Sequence, residues 1–76
     1  MTDKHEVVIH IDGKEFKTAK TSMTGIEIKA LAGRDASYQL FLEQKGSDPD
    51  KLIGDGETVE LRNGEHFYTV PQATFG

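Results

Sequence analysis

The chain has 76 residues, a formal net charge of −4 and no cysteine. So short a chain buries only about 60% of the surface it exposes when unfolded, which allows one sheet and one helix but no deep cleft between domains. Its nine Lys and Arg are scattered, which argues against a nucleic-acid partner, and disulfides and zinc–thiolate sites are excluded. A hydrophobic content of 36% against 29% charged residues is too apolar for a disordered chain. The start, MTDKHEVV, has no apolar h-region, and no apolar run approaches membrane-spanning length, so neither a secretory leader nor a membrane span is expected. The lack of cysteine fits a reducing cytoplasm, the expected location.

Residues 5–11, HEVVIHI, alternate, with Val7, Ile9 and Ile11 on one face and Glu6, Val8 and His10 on the other. Asp12–Gly13 follows at once, and KEFKT alternates again around Phe16. Asp-Gly between two alternating runs predicts a hairpin closed by a type I′ turn, which needs positive φ at both central residues. The stretch TSMTGIEIKALAG predicts a helix of about nine to ten residues. Thr24 and Glu27 stand at capping-box spacing, and Gly33 suits the left-handed position past the end. Ile28, Leu31 and Ala32 share its inner face.

YQLFLEQ (38–44) predicts a strand with Leu40 and Leu42 inward and Phe41 outward. KGSDPD is a turn-rich loop, and KLI a very short strand. GDGETVELRNG is a compact connection whose Val59 and Leu61 plug the core. EHFYTV is the last strand, with Phe67 and Thr69 inward and His66, Tyr68 and Val70 outward. Hairpin, helix and strands in this order fit an α+β fold, a mixed sheet of four to five strands with one helix packed on one face. A right-handed crossover after the hairpin places the last strand parallel to the first, which is the β-grasp.

The residues also resemble a known family. KLIGDGETVEL is similar to the stretch of ubiquitin that reads lysine, a short apolar strand, Asp-Gly, then Thr and an apolar residue. TGIEIKALAG, YQLFLE, LIGDGETVEL and FYTVP, in that order, resemble the bacterial multi-ubiquitin-type family of the ubiquitin superfamily. The resemblance implies a ubiquitin-like protein modifier rather than an enzyme. Its implied partners are an ATP-dependent activating enzyme, a conjugating enzyme, a metalloprotease-type deconjugase and target proteins. In that family the last glycine is the reactive end, here Gly76. Two departures stand out: ubiquitin ends in Gly-Gly after a basic tail, whereas this sequence ends in Phe75–Gly76 with no tail charge. Many members also continue past the glycine or occur in tandem, and this sequence shows neither, so the glycine is expected to be encoded at the end or exposed by trimming.

The expected organisation is a β-grasp domain over 1–70 and a flexible tail over 71–76. Pro71 lacks an N–H and cannot extend the ladder. Six extended residues reach about 20 Å, enough to thread a narrow tunnel to a nucleotide or a cysteine. Glycine at the end leaves its carbonyl open to attack. Pro71, Gln72, Ala73, Thr74 and Phe75 are the residues an activating enzyme would read on the way to Gly76. Two alternatives remain: a sulfur carrier whose terminal glycine becomes a thiocarboxylate, and a non-covalent binding module.

That module would use the outward face of the sheet. Val8, His10, Phe41, His66, Tyr68 and Val70 fall there, a place that resembles the apolar recognition patch of ubiquitin. His5 and His10 point to opposite faces of one strand, and His10 with His66 make only two ligands, so no metal is expected. In DPDKLIGDGE, Leu52 and Ile53 occupy positions a calcium loop needs for a ligand and a glycine, and the stretch reads as solvated turns. No phosphate loop or nucleophile grouping is evident, and no cofactor is expected.

Overall fold

The computed structural model of the chain describes residues 6–72. The hairpin forms as expected from β1 (Val7–Ile11) and β2 (Lys14–Thr18), with Ile9 opposite Phe16. Asp12 and Gly13 both have positive φ, 54° and 81°, as the type I′ turn demands. A short strand, β3 (Ser22–Thr24), leads into α1 (Gly25–Leu31). The capping box is complete: the Thr24 amide donates to Glu27 Oε1 at 2.9 Å, and the Glu27 amide donates to Thr24 Oγ1 at 3.4 Å. At seven residues the helix is shorter than expected. Ala32 caps it and Gly33 turns the chain away at φ 73°.

Four further strands follow: β4 (Gln39–Leu42), β5 (Lys51–Ile53), β6 (Thr58–Glu60) and β7 (Glu65–Val70). The main sheet has the order β2-β1-β7-β4-β5, with β1 and β7 parallel and the other pairings antiparallel. A second sheet pairs β3 with β6, so the stretch expected as an irregular connection holds a strand. Three residues on each side are too short to carry a readable period.

One face of the main sheet is covered by the helix. Ile9, Ile11, Met23, Ile28, Leu40, Ile53, Val59, Leu61 and Phe67 form the buried core, with Val7, Phe16, Leu31, Ala32 and Leu42 packed against it. So short a helix cannot persist by itself, and its ends are held by distant groups. At its start the Gly25 amide donates to Glu57 O and the Ile26 amide to Asp55 O. Gly54, Asp55 and Gly56 are exposed, as expected of solvated turns, and the same loop also holds the helix start. Toward its other end Lys29, 2% exposed, donates to Ala36 O and Tyr38 O at 2.7 Å and to Asp55 Oδ1 at 2.6 Å. All three ammonium hydrogens are used, so the buried cation is satisfied.

Candidate functional site

The last strand and the outward face of the sheet carry the expected functional residues. β7 ends at Val70, opposite Gln39, and Pro71 and Gln72 follow as exposed residues outside the sheet. The proline has no amide to continue the ladder, which accounts for the stop. Ala73, Thr74, Phe75 and Gly76 lie outside the described residues.

Just before that exit, the hairpin turn grips β7. The Asp12 amide donates to Phe67 O at 3.0 Å. Its carboxylate accepts the Thr69 amide at 2.9 Å, the Thr69 hydroxyl at 2.5 Å and Arg34 Nε at 3.0 Å. A residue that suits the turn geometry thus also holds Phe67 and Thr69 near the end of β7, the latter 57 positions away in sequence. Burial by itself would push the Asp12 carboxyl upward, but the Thr69 hydroxyl, the Thr69 amide and Arg34 outweigh it and hold the group below its ordinary value.

The lowered value means that the folded chain holds this carboxylate ionised more firmly than the unfolded chain does. Its stabilisation is complete above the ordinary carboxylate range and is lost as pH falls through the lowered value. Asp12→Asn keeps a residue that tolerates positive φ but removes the charge, and should cost about 1–2 kcal/mol at neutral pH. The gap in thermal midpoint between variant and parent should close as the pH falls below 3.8. A gap that is the same at every pH would show that the charge does not hold Thr69.

On the face away from the helix two pairs of the six expected surface residues meet, while Val8 and Val70 lie to either side of them along the strands. His10 pairs with His66 across the parallel strands, and their rings stack at 4.6 Å between centroids and 10° between planes. Phe41 pairs with Tyr68 across β4 and β7, and these rings stack at 5.2 Å and 12°. Val8 precedes His10 on β1, and Val70 follows Tyr68 on β7, each in the same phase. Stacking across strands also stabilises the sheet, so the aromatic pair both braces the fold and presents a surface.

Leu52 belongs to this surface and was not expected there. It pairs with Phe41 across β4 and β5 and is 51% exposed. The signal was the alternation in KLI: once Ile53 points inward, Leu52 must point outward. Tyr68 is anchored at its tip, donating to Asp50 Oδ2 at 2.6 Å, while Asp50 Oδ1 accepts the Gln44 amide at 3.1 Å. The bond from Tyr68 holds the Asp50 carboxyl below its usual range, and the same bond pushes the Tyr68 phenol up. Among the described residues no group of three or more His, Cys, Asp or Glu side chains could hold a metal ion, and no helix is long and apolar enough to cross a membrane.

A mixed five-stranded sheet with one helix on a single face is the β-grasp, which places the chain in the ubiquitin-like class. The multiubiquitin family matches it over residues 7–72, and the chain belongs to that family. No curated protein and no solved structure matches it significantly.

Proposed function

We propose that the chain is a ubiquitin-like protein modifier, attached to target proteins through the carboxyl group of Gly76. The observation that carries this reading is the clean exit after Val70: the sheet stops at Pro71, and Gln72 is already exposed. Residues 71–76 then act as the tail, with Pro71 to Phe75 read by the activating enzyme and Gly76 as the reacting residue. Membership of the multiubiquitin family supports the same reading.

The chemistry belongs to the partners, and the chain is their substrate. The Gly76 carboxylate attacks the α-phosphorus of ATP, giving an acyl adenylate and releasing pyrophosphate. A cysteine thiolate of the activating enzyme attacks the acyl carbon and expels AMP. The thioester passes to a cysteine of a conjugating enzyme, and a nucleophile on the target then displaces that thiolate and gives up its proton. This chain has no cysteine, so both thiolates come from elsewhere. The reading sets these steps in a bacterial cytoplasm, with a metalloprotease-type enzyme reversing them. Gly76 serves whether it is encoded as the last residue or uncovered by cleavage.

The test is mass spectrometry of the chain after incubation with ATP and a candidate activating enzyme, with and without Gly76. Removing Gly76 should abolish adenylation and conjugation and leave thermal unfolding unchanged. Conjugation of a chain lacking Gly76 would overturn the reading in favour of a non-covalent binding module.

A further inference from the structure

The parallel strands β1 and β7 bring together residues from opposite ends of the chain. His10 and His66 are direct partners in that pairing, between Ile9 with Glu65 and Ile11 with Phe67. His10 is half-buried and His66 exposed, and their rings stack at 4.6 Å between centroids and 10° between planes. No nitrogen of either ring is engaged in a hydrogen bond with a described residue. Two imidazoles side by side with free nitrogens are a pair of donors for one metal ion. Nitrogen ligands on a tetrahedral ion stand roughly 3.3 Å apart. Adjacent strands are about 4.8 Å apart, so a modest tilt of each ring closes the difference.

The charges around the pair are mixed. Glu15 faces His10 from β2, and the Glu43 amide donates to the His66 carbonyl. Lys17 lies opposite Val8, and Lys45 and Arg62 line the hollow that Glu43 and His66 border. These charges offset one another, so nitrogen donors rather than the local field would hold an ion here. Nitrogen donors select late first-row divalent ions such as zinc over magnesium and calcium, which take oxygen ligands. As the side chains stand, no third His, Asp or Glu among the described residues joins the pair, which leaves the remaining coordination positions to water. An ion bound this way would tie the first strand to the last. A small chain without cysteine has no disulfide to make such a link.

We propose that His10 and His66 form a two-nitrogen binding site for a late first-row divalent ion, which staples β1 to β7. The site goes beyond the reading of the chain as a modifier and does not depend on Gly76.

Thermal unfolding of the metal-free full chain with added Zn²⁺ or Mg²⁺ tests it, alongside NMR of the isotope-labelled chain. The two histidines meet only in the folded state, so zinc should raise the midpoint by mass action, by about 6–11 °C at ten times its dissociation constant. Zn²⁺ should shift the ring and amide signals of His10 and His66 before all others, and Mg²⁺ should do neither. His10→Gln and His66→Gln should each weaken zinc binding about tenfold or more. Each variant is compared with its own metal-free midpoint, so a change in its intrinsic stability does not enter. His5→Gln, which alters the remaining histidine, should bind zinc as the parent does. No rise at about 1 mM Zn²⁺, an equal rise with Mg²⁺, or an undiminished rise in His10→Gln or His66→Gln would overturn the proposal. So would loss of the rise in His5→Gln. Removing Gly76 should leave zinc binding intact, so failure of the metal site and failure of conjugation are read separately.

Discussion

Leu40→Ala is expected to cost about 2–5 kcal/mol of folding stability, measured by denaturant or thermal unfolding. Leu40 is 0% exposed and sits on β4, flanked by two strands, paired with Ile53 on one side and Thr69 on the other. Truncation removes the transfer free energy of the lost carbons and leaves a cavity. Its walls are two β-ladders and a helix, which cannot close in without breaking hydrogen bonds. A domain of this size has a total stability of roughly 4–11 kcal/mol, so the loss removes a large share of it. Leu42, on the same strand and in the same phase, is only half-buried and should cost less when truncated. Phe41, one residue away on the opposite face, should cost less again. If Phe41→Ala proved as damaging as Leu40→Ala, the assignment of faces would be reversed.

Gly25→Ala should be nearly as damaging, for the opposite reason. A Cβ on Gly25 would stand 2.2 Å from Gly54 O and 3.0 Å from Gly54 C. The obstacle is backbone, so no rotamer change can relieve it. The 54–57 loop would have to retreat, stretching the bonds from the Gly25 amide to Glu57 O and from the Ile26 amide to Asp55 O. Overpacking of this kind costs about 1–3 kcal/mol, and the lost helix-start bonds add to it. Alanine is otherwise the better helix former, so a chain merely choosing helix propensity would gain from the change. Hydrogen exchange should show the helix amides losing protection before those of β1 and β7. A variant as stable as the parent would mean that the loop can move aside without loss.

Much of the architecture was legible because its determinants are local. The alternation in VVIHI and EHFYTV assigns each side chain to a face, since neighbours on a strand must point opposite ways. Asp12–Gly13 determines the hairpin through positive φ, and Thr24 with Glu27 determines where the helix begins. The outward face followed from the same alternation, and with it the six surface residues. Gly76 came from the resemblance, and Pro71 from the chemistry of its ring.

Tertiary structure decided what depends on residues far apart in the chain. Ser22 meets Glu60 only after the fold closes, and three-residue strands carry no period to announce them. Lys29, a charged residue on a short helix, reads as solvent-facing; only the arrival of Ala36, Tyr38 and Asp55 makes its burial tolerable. Gly25 reads as a weak helix residue until Gly54 arrives against it. Asp12 reads as a turn residue until Thr69 arrives, 57 positions later. The sequence by itself determined the turns, the cap and the face of each strand, because these are set by the conformations of a few adjacent residues. The partners of buried polar groups, the close backbone contacts and the ring pairs of the outer face were decided by the tertiary fold, because they depend on groups that only the folded chain brings together.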